Sequence, residues 1–351
     1  MRTLRLPHVF GALSSAVSRG GALRKAIDAD VHVIQSADAG AIAYYADPRG
    51  TGAPVVLFHS VNAAASSYEV KPLFEHFRGQ RPVYAVDLPG FGRSERGDLA
   101  YTPRLYASAV LHVLRQVAAK GAHVVALSLS SEFAALAALD APELVRSLTL
   151  VAPTGFEKPG GRPLLERLRL GVAKVAALPG VGRALFEGVV QRPSIDYFLG
   201  KFFVGDVDKG LASYAYESAK QPGAFRAPKA FLTGSLFTAD VRNVYAALRE
   251  PVLVLHDHEP YGVSEQVDAF VRAHGSWRAQ RVGPSRGLPH FERPEATFGA
   301  IDTFLRDTEE AERGTTNGRS VDAHAALGEA RNKRCWRPPT ELLVEEVRSS
   351  G

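Results

Sequence analysis

Hydrophobic residues in the middle of the chain come in short runs that alternate with longer, helically spaced stretches. VHVIQS (31–36) and AIAYYA (41–46) read as two strands joined by a turn at Asp38 and Gly40. PVVLFH (54–59) is a continuous apolar run after Gly52, the pattern of a strand covered on both faces. The spacing then predicts a helix over 66–78, a strand PVYAVD (82–87), and a helix over 103–119 with Leu105, Val110, Leu111, Leu114 and Val117 along one side. AHVVAL (122–127), a helix over 131–140 and SLTLV (147–151) follow, and much later PVLVLH (251–256), WRAQRV (277–282) and a helix over 293–306. Strands alternating with helices predict an α/β fold. Its sheet is mostly parallel with helices on both faces, and the ligand site lies at the carboxyl ends of the strands.

Residues 157–249 interrupt this alternation. EKPGGRP opens the segment, and the rest is helix-compatible and rich in aromatics: Phe186, Tyr197, Phe198, Phe202, Phe203, Tyr214 and Tyr216. A long insertion between two core strands predicts a helical lid, most of whose aromatics pack it to the core while a few line a pocket. The chain therefore divides into a basic N-terminal segment (1–30), a first core part (31–156), the lid (157–249), a second core part (250–310) and a disordered tail (311–351). Residues 1–27 hold five basic side chains and no acid. They predict a short basic helix that lies on the domain or frays from it, suited to weak membrane-surface contact. VFGAL is too short for a secretory signal, and no run of eighteen residues is apolar enough to span a bilayer. The net charge of +5 is dispersed, so no nucleic-acid partner is expected. The single cysteine, Cys335, excludes an internal disulfide framework and a Cys-rich metal site. These features predict a cytoplasmic protein.

Ser128 carries the candidate chemistry. It stands where a strand ends and a helix begins (VVAL–Ser–LSSEFAALAAL), a sharp turn that lifts a hydroxyl above the sheet and needs small neighbours two residues away on either side. Those neighbours are Ala126 and Ser130. A serine needs a base, and the base an orienting acid. His290, in GLPHFERPEA between the last strand and the last helix, is the candidate base. The acid is expected after 251–256, where HDHEP offers Glu259, the favoured residue, and Asp257 as the alternative. His256 and His258 would share one side of an extended strand, but no further ligand pattern accompanies them, so no metal is expected. An oxyanion requires backbone donors. Leu129 N–H follows the nucleophile, and the loop HSVNAAASS supplies Val61, with Ser60 as the alternative and Asn62 in support. His59 is expected to brace this loop.

FHSVNAAASSYE, DLPGFGRSER (87–96), ALSLSS and PHFERPEA together resemble the α/β-hydrolase superfamily, in its lid-bearing branch, over about residues 31–310. The resemblance implies an eight-stranded, mostly parallel sheet and a Ser–acid–His site (Ser128, Glu259, His290) with no metal and no organic cofactor. Three positions depart from the family pattern: Ser60 replaces a glycine, Ala126 and Ser130 replace the elbow glycines, and Glu259 stands where Asp is usual. Ser128 argues against the dehalogenases and epoxide hydrolases of that fold, which use an Asp nucleophile. The expected function is a serine hydrolase acting on an ester, thioester or related small-molecule acyl substrate. A carbon–carbon bond hydrolase or acyltransferase would use the same triad, and a binding protein with a dead or weak site is the alternative class.

Overall fold

The computed structural model describes residues 23–156, 181–259 and 264–322. Eight strands form one sheet: β1 (Asp30–Ser36), β2 (Gly40–Asp47), β3 (Val55–Phe58), β4 (Val83–Val86), β5 (Ala122–Leu127), β6 (Val145–Val151), β7 (Val252–His256) and β8 (Trp277–Arg281). Their spatial order is β1-β2-β4-β3-β5-β6-β7-β8. β2 is antiparallel to both β1 and β4, and every other pairing is parallel. The register sets Phe58 of β3 opposite Ala126 of β5, and Ala126 opposite Leu150 of β6. The carboxyl ends of these three central strands therefore finish side by side.

The continuous apolar runs follow from burial on two faces. Val56, Phe58, Val124, Ala126, Leu148, Leu150, Val252 and Val254 enter one core with the helices α2 (Pro103–Val117) and α3 (Ser130–Asp140). Their strand neighbours Val55, Leu57, Val125, Leu127, Leu253 and Leu255 enter the other. That second core is closed by α1 (Lys71–Phe77) and by residues Ala300, Ile301, Phe304 and Leu305 of the last helix. Thr102 caps α2, its hydroxyl accepting Leu105 N–H at 3.2 Å, with Pro103 in the first turn. α3 is buried on all sides from Ser130 to Ala138. Its alanines at 134, 135, 137 and 138 let it lie close to the sheet.

Among the described residues, five helices lie between β6 and β7: α4 (Val181–Val189), α5 (Arg192–Gly200), α6 (Lys209–Ala219), α7 (Arg226–Leu232) and α8 (Val241–Ala246). Residues 157–180 of the expected lid lie outside the described residues. Phe186, Phe203 and Tyr214 are buried, whereas Tyr197 is 63% and Phe198 42% exposed. Phe186, Val190, Ile195, Ala215, Ala219 and Ala224 form a small core of their own, and Ala63 and Ala64 pack against it.

Three segments differ from the sequence reading. Before β8 lies α9 (Ser264–Arg272), not anticipated although Val267, Phe270 and Val271 have helical spacing. The last helix, α11 (Pro294–Asp322), continues well past 306, so 311–322 are helical rather than unstructured. Once its first turns are formed, each further residue adds a hydrogen bond at little cost, and Glu309, Glu310, Ala311 and Glu312 favour the helix. Residues 323–351, Cys335 among them, lie outside the described residues. Up to Thr308 the described residues belong to one compact unit, and the described residues 309–322 belong to a second.

The third difference concerns the N-terminal segment. Residues 1–22 lie outside the described residues, but 23–29 are neither helical nor frayed. Leu23, Ala26 and Ile27 are buried in the second core, Ala26 N–H donates to the Tyr45 hydroxyl at 2.9 Å, and the Tyr214 hydroxyl donates to Arg24 O at 3.1 Å. Ile27→Ala should therefore cost about 2–4 kcal/mol in urea unfolding, the scale for truncating a buried branched aliphatic. A loss below about 0.5 kcal/mol would mean that this segment does not belong to the core.

Candidate active site

Ser128 follows directly on β5 in the left-handed region, φ +51°, where a side chain costs about 1–2 kcal/mol. The turn is held from all sides. Ser128 N–H donates to Val151 O of β6 at 2.8 Å, the Ser130 hydroxyl to Leu127 O at 2.8 Å, and the Ser131 hydroxyl to Ala126 O at 3.3 Å. The Ser130 hydroxyl also reaches Phe58 O at 3.4 Å, joining the elbow to the end of β3. The Ser128 side chain is half-buried, and its hydroxyl makes no hydrogen bond among the described residues.

The loop after β3 is built around one carboxyl group. Glu69 is buried in the 3₁₀ turn Ser67–Val70, before α1. One of its oxygens accepts Ser60 N–H at 2.8 Å, the other the Asn62 amide at 2.8 Å. Asn62 also donates to the Ser60 hydroxyl at 3.0 Å and accepts Ala64 N–H at 2.8 Å. His59 accepts Leu88 N–H on Nε2 at 3.0 Å, which leaves Nδ1–H to donate to Ser60 O at 2.5 Å. That bonding braces the loop, as expected of His59. Ser60 N–H is consumed by Glu69, whereas the N–H groups of Val61 and Leu129 donate to no other described residue. Ser67 N–H and Arg93 N–H, both at 2.8 Å, bind the two oxygens of buried Asp87. A Cβ on Gly92 (φ +50°) would stand 2.0 Å from the Asp87 carboxyl carbon, which explains the glycine in PGFG.

His290 lies in the single-turn helix α10 (Pro289–Glu292), rather than in open loop, and is fully buried. Its Nε2 is 2.6 Å from Glu69 O. A carbonyl only accepts, so Nε2 carries the proton and Nδ1 the lone pair. Nδ1 has no hydrogen-bond partner among the described residues. Burial pulls the imidazole from 6.5 down to about 4, although the Glu69 carbonyl favours the charged form. Glu292 fixes the segment, accepting Val204 N–H at 2.6 Å, Gly205 N–H at 3.1 Å and Arg286 N–H at 3.2 Å. A cleft of about 370 Å³ opens beside it, lined by Phe203, Val204, Asp206, Phe291 and Arg293 among others.

Neither expected acid hydrogen-bonds His290. Glu259 turns back on its own loop, Oε1 accepting Asp257 N–H at 2.7 Å. Asp257 is buried, with Arg281 Nε on Oδ1 at 2.5 Å and Ser285 N–H on Oδ2 at 2.8 Å. Burial would raise its carboxyl, but the Ser285 N–H and the Arg281 guanidinium outweigh that and hold it below the ordinary value. His256 and His258 do not share a side: His256 is buried 3.4 Å from Asp268, and His258 points outward beside Asp257. Among the described residues no three His, Cys, Asp or Glu side chains converge as metal ligands. The sequence reading passed over Glu69 and also Glu132. Glu132 is a buried acid in an apolar run whose oxygens accept the Thr154 hydroxyl at 2.5 Å and Thr238 N–H at 2.6 Å. The available signals were Tyr68 and Val70 on either side of Glu69, and the apolar run from Phe133 that follows Glu132.

A family model described as the alpha/beta hydrolase family matches residues 55–300, and the chain belongs to that family. It is 25% identical over 295 residues to a 2-(acetamidomethylene)succinate hydrolase of Mesorhizobium japonicum, a match covering 80% of this chain and 97% of that one. Among solved structures, a membrane phospholipase A superposes with a TM-score of 0.64 at 22% identity, covering 80% of this chain and 86% of that one. A serine hydrolase involved in carbazole degradation superposes with a TM-score of 0.62 at 19% identity, covering 79% and 98%. No described helix is long and apolar enough to cross a membrane.

The depressed His290 pKa has a consequence for stability. Between pH 6.5 and about 4 the unfolded chain binds a proton that the folded chain refuses, so folding weakens as pH falls through that window. Comparing wild type with His290→Gln by urea unfolding at pH 7 and pH 4 should show wild type losing roughly 3 kcal/mol more than the variant. Equal losses would mean that His290 titrates normally.

Proposed function

We propose that this hydrolase is a serine hydrolase that cleaves an ester, thioester or related acyl substrate through an acyl-enzyme on Ser128. The observation that carries the reading is the left-handed Ser128. At the carboxyl end of the central strands its hydroxyl is unbonded among the described residues, and the N–H groups of Val61 and Leu129, which donate to no described residue, lie in the adjoining turns. His290, uncharged at neutral pH, takes the Ser128 proton as the hydroxyl oxygen attacks the carbonyl. The two N–H groups receive the oxyanion, an interaction worth 10²–10³ in rate per donor in related chemistry. The leaving group takes the proton from His290, and water repeats the sequence to release the acid. The helices after β6 cover the site as a lid, since Ala63 and Ala64 of the oxyanion loop pack into their apolar core. The fold shared with a serine hydrolase agrees with this chemistry.

One observation favours a second reading, a binding protein with little activity: Glu259 and Asp257 bond elsewhere than to His290. A fluorophosphonate probe separates the two. Wild type should be labelled stoichiometrically, and Ser128→Ala should lose all labelling while its melting temperature stays within a few degrees. Labelling that persists in Ser128→Ala would place the nucleophile elsewhere, and an unlabelled wild type would favour the binding protein.

A further inference from the structure

We infer that Glu69 is the positioning residue of this site: its main-chain carbonyl orients His290, its carboxyl group sets the oxyanion loop, and among the described residues no carboxylate after β7 performs the first task. This rests on the reading of Ser128 and His290 given above.

Three contacts from one residue carry it. The carbonyl of Glu69 takes Nε2–H of His290 at 2.6 Å, fixing both the tautomer and the tilt of the ring. The two carboxyl oxygens take Ser60 N–H and the Asn62 amide, each at 2.8 Å, on either side of Val61. The base and one oxyanion donor are thus registered to each other through a single buried residue, by its carbonyl on one side and its carboxyl group on the other. After β7 the arrangement is different. Asp257 serves Ser285 and Arg281, Glu259 serves Asp257 N–H, and Nδ1 of His290 has no partner among the described residues.

The proton path follows. As the Ser128 oxygen bonds to the carbonyl carbon, its proton passes to Nδ1, giving an imidazolium whose Nε2–H remains on Glu69 O. Nδ1–H then protonates the leaving group as its bond to the acyl carbon breaks, and the neutral ring returns. A neutral carbonyl stabilises that imidazolium less than a carboxylate would. Burial lowers the basicity of the ring, and the Glu69 carbonyl offsets only part of that.

Glu69→Gln tests the carboxyl role. Ser60 N–H and the Asn62 amide both need acceptors, and glutamine offers one acceptor and one donor, so the loop must shift. The readout is the second-order rate of fluorophosphonate labelling, which needs no known substrate. Glu69→Gln should label about 10²-fold more slowly, the scale of losing one oxyanion donor. Glu259→Gln should change the rate less than about tenfold. The carbonyl role is read separately, by ¹H–¹⁵N correlation of the imidazoles in unmodified protein. His290 should be in the Nε2–H tautomer at pH 7, a result that does not depend on Glu69→Gln folding. A labelled wild type with His290 in the Nδ1–H tautomer would overturn the inference. So would a Glu259→Gln variant slowed 10²-fold beside an unaffected Glu69→Gln. A wild type that takes no label removes the hydrolase reading itself, an outcome distinct from either of these.

Discussion

The site depends on a backbone constraint at one residue: Ser128 must stay left-handed although it has a side chain. The conformation costs about 1–2 kcal/mol, so it persists only where its surroundings over-determine it. Here they do. β6 holds Ser128 N–H, two following serines tie their hydroxyls back to the end of β5, and α3 is buried on all sides. Ala126 and Ser130, which replace the family's glycines, fit this scheme. Ala126 is covered by both neighbouring strands, and the Ser130 hydroxyl bonds back across the turn.

With the elbow fixed, the remaining parts must be brought to it by loops, which a parallel sheet leaves unpaired at its strand ends. Buried acids do this work. Asp87 gathers the 3₁₀ turn and the loop after β4, Glu69 gathers the loop after β3, and Glu132 ties α3 to the segments at Thr154 and Thr238. Each lies in a low-dielectric setting where an unmet oxygen would cost a few kcal/mol, and each has both oxygens bonded. Their loops are therefore specified more tightly than apolar contact alone would allow.

Much of this was legible in the sequence. The apolar runs at 54–59, 122–127 and 251–256 became buried parallel strands, and the helix periods at 103–119 and 131–140 matched α2 and α3. Those signals are local and strong. The burial of Ile27 was not legible, because a short basic segment docks through tertiary contacts with Tyr45 and Tyr214 that no periodicity announces. α9 was missed because Val267, Phe270 and Val271 make a short amphipathic signal between two strands. The surroundings of His290 were hidden for another reason. The partner it finds is a main-chain carbonyl, which every residue has, at a position 221 residues away in the chain. Asp257 was held back from the site by Arg281 and Ser285, partners that strand alternation could not reveal.

The central claim is that Ser128 attacks and that Val61 and Leu129 receive the oxyanion. A crystal structure of the protein inactivated by an organophosphate ester tests it most directly, because the phosphoryl oxygen stands where the oxyanion would. Phosphorus should be bonded to Ser128 Oγ, with its phosphoryl oxygen about 3 Å from both the Val61 and Leu129 nitrogens. Phosphorus on another residue, or a phosphoryl oxygen turned away from both N–H groups, would contradict it.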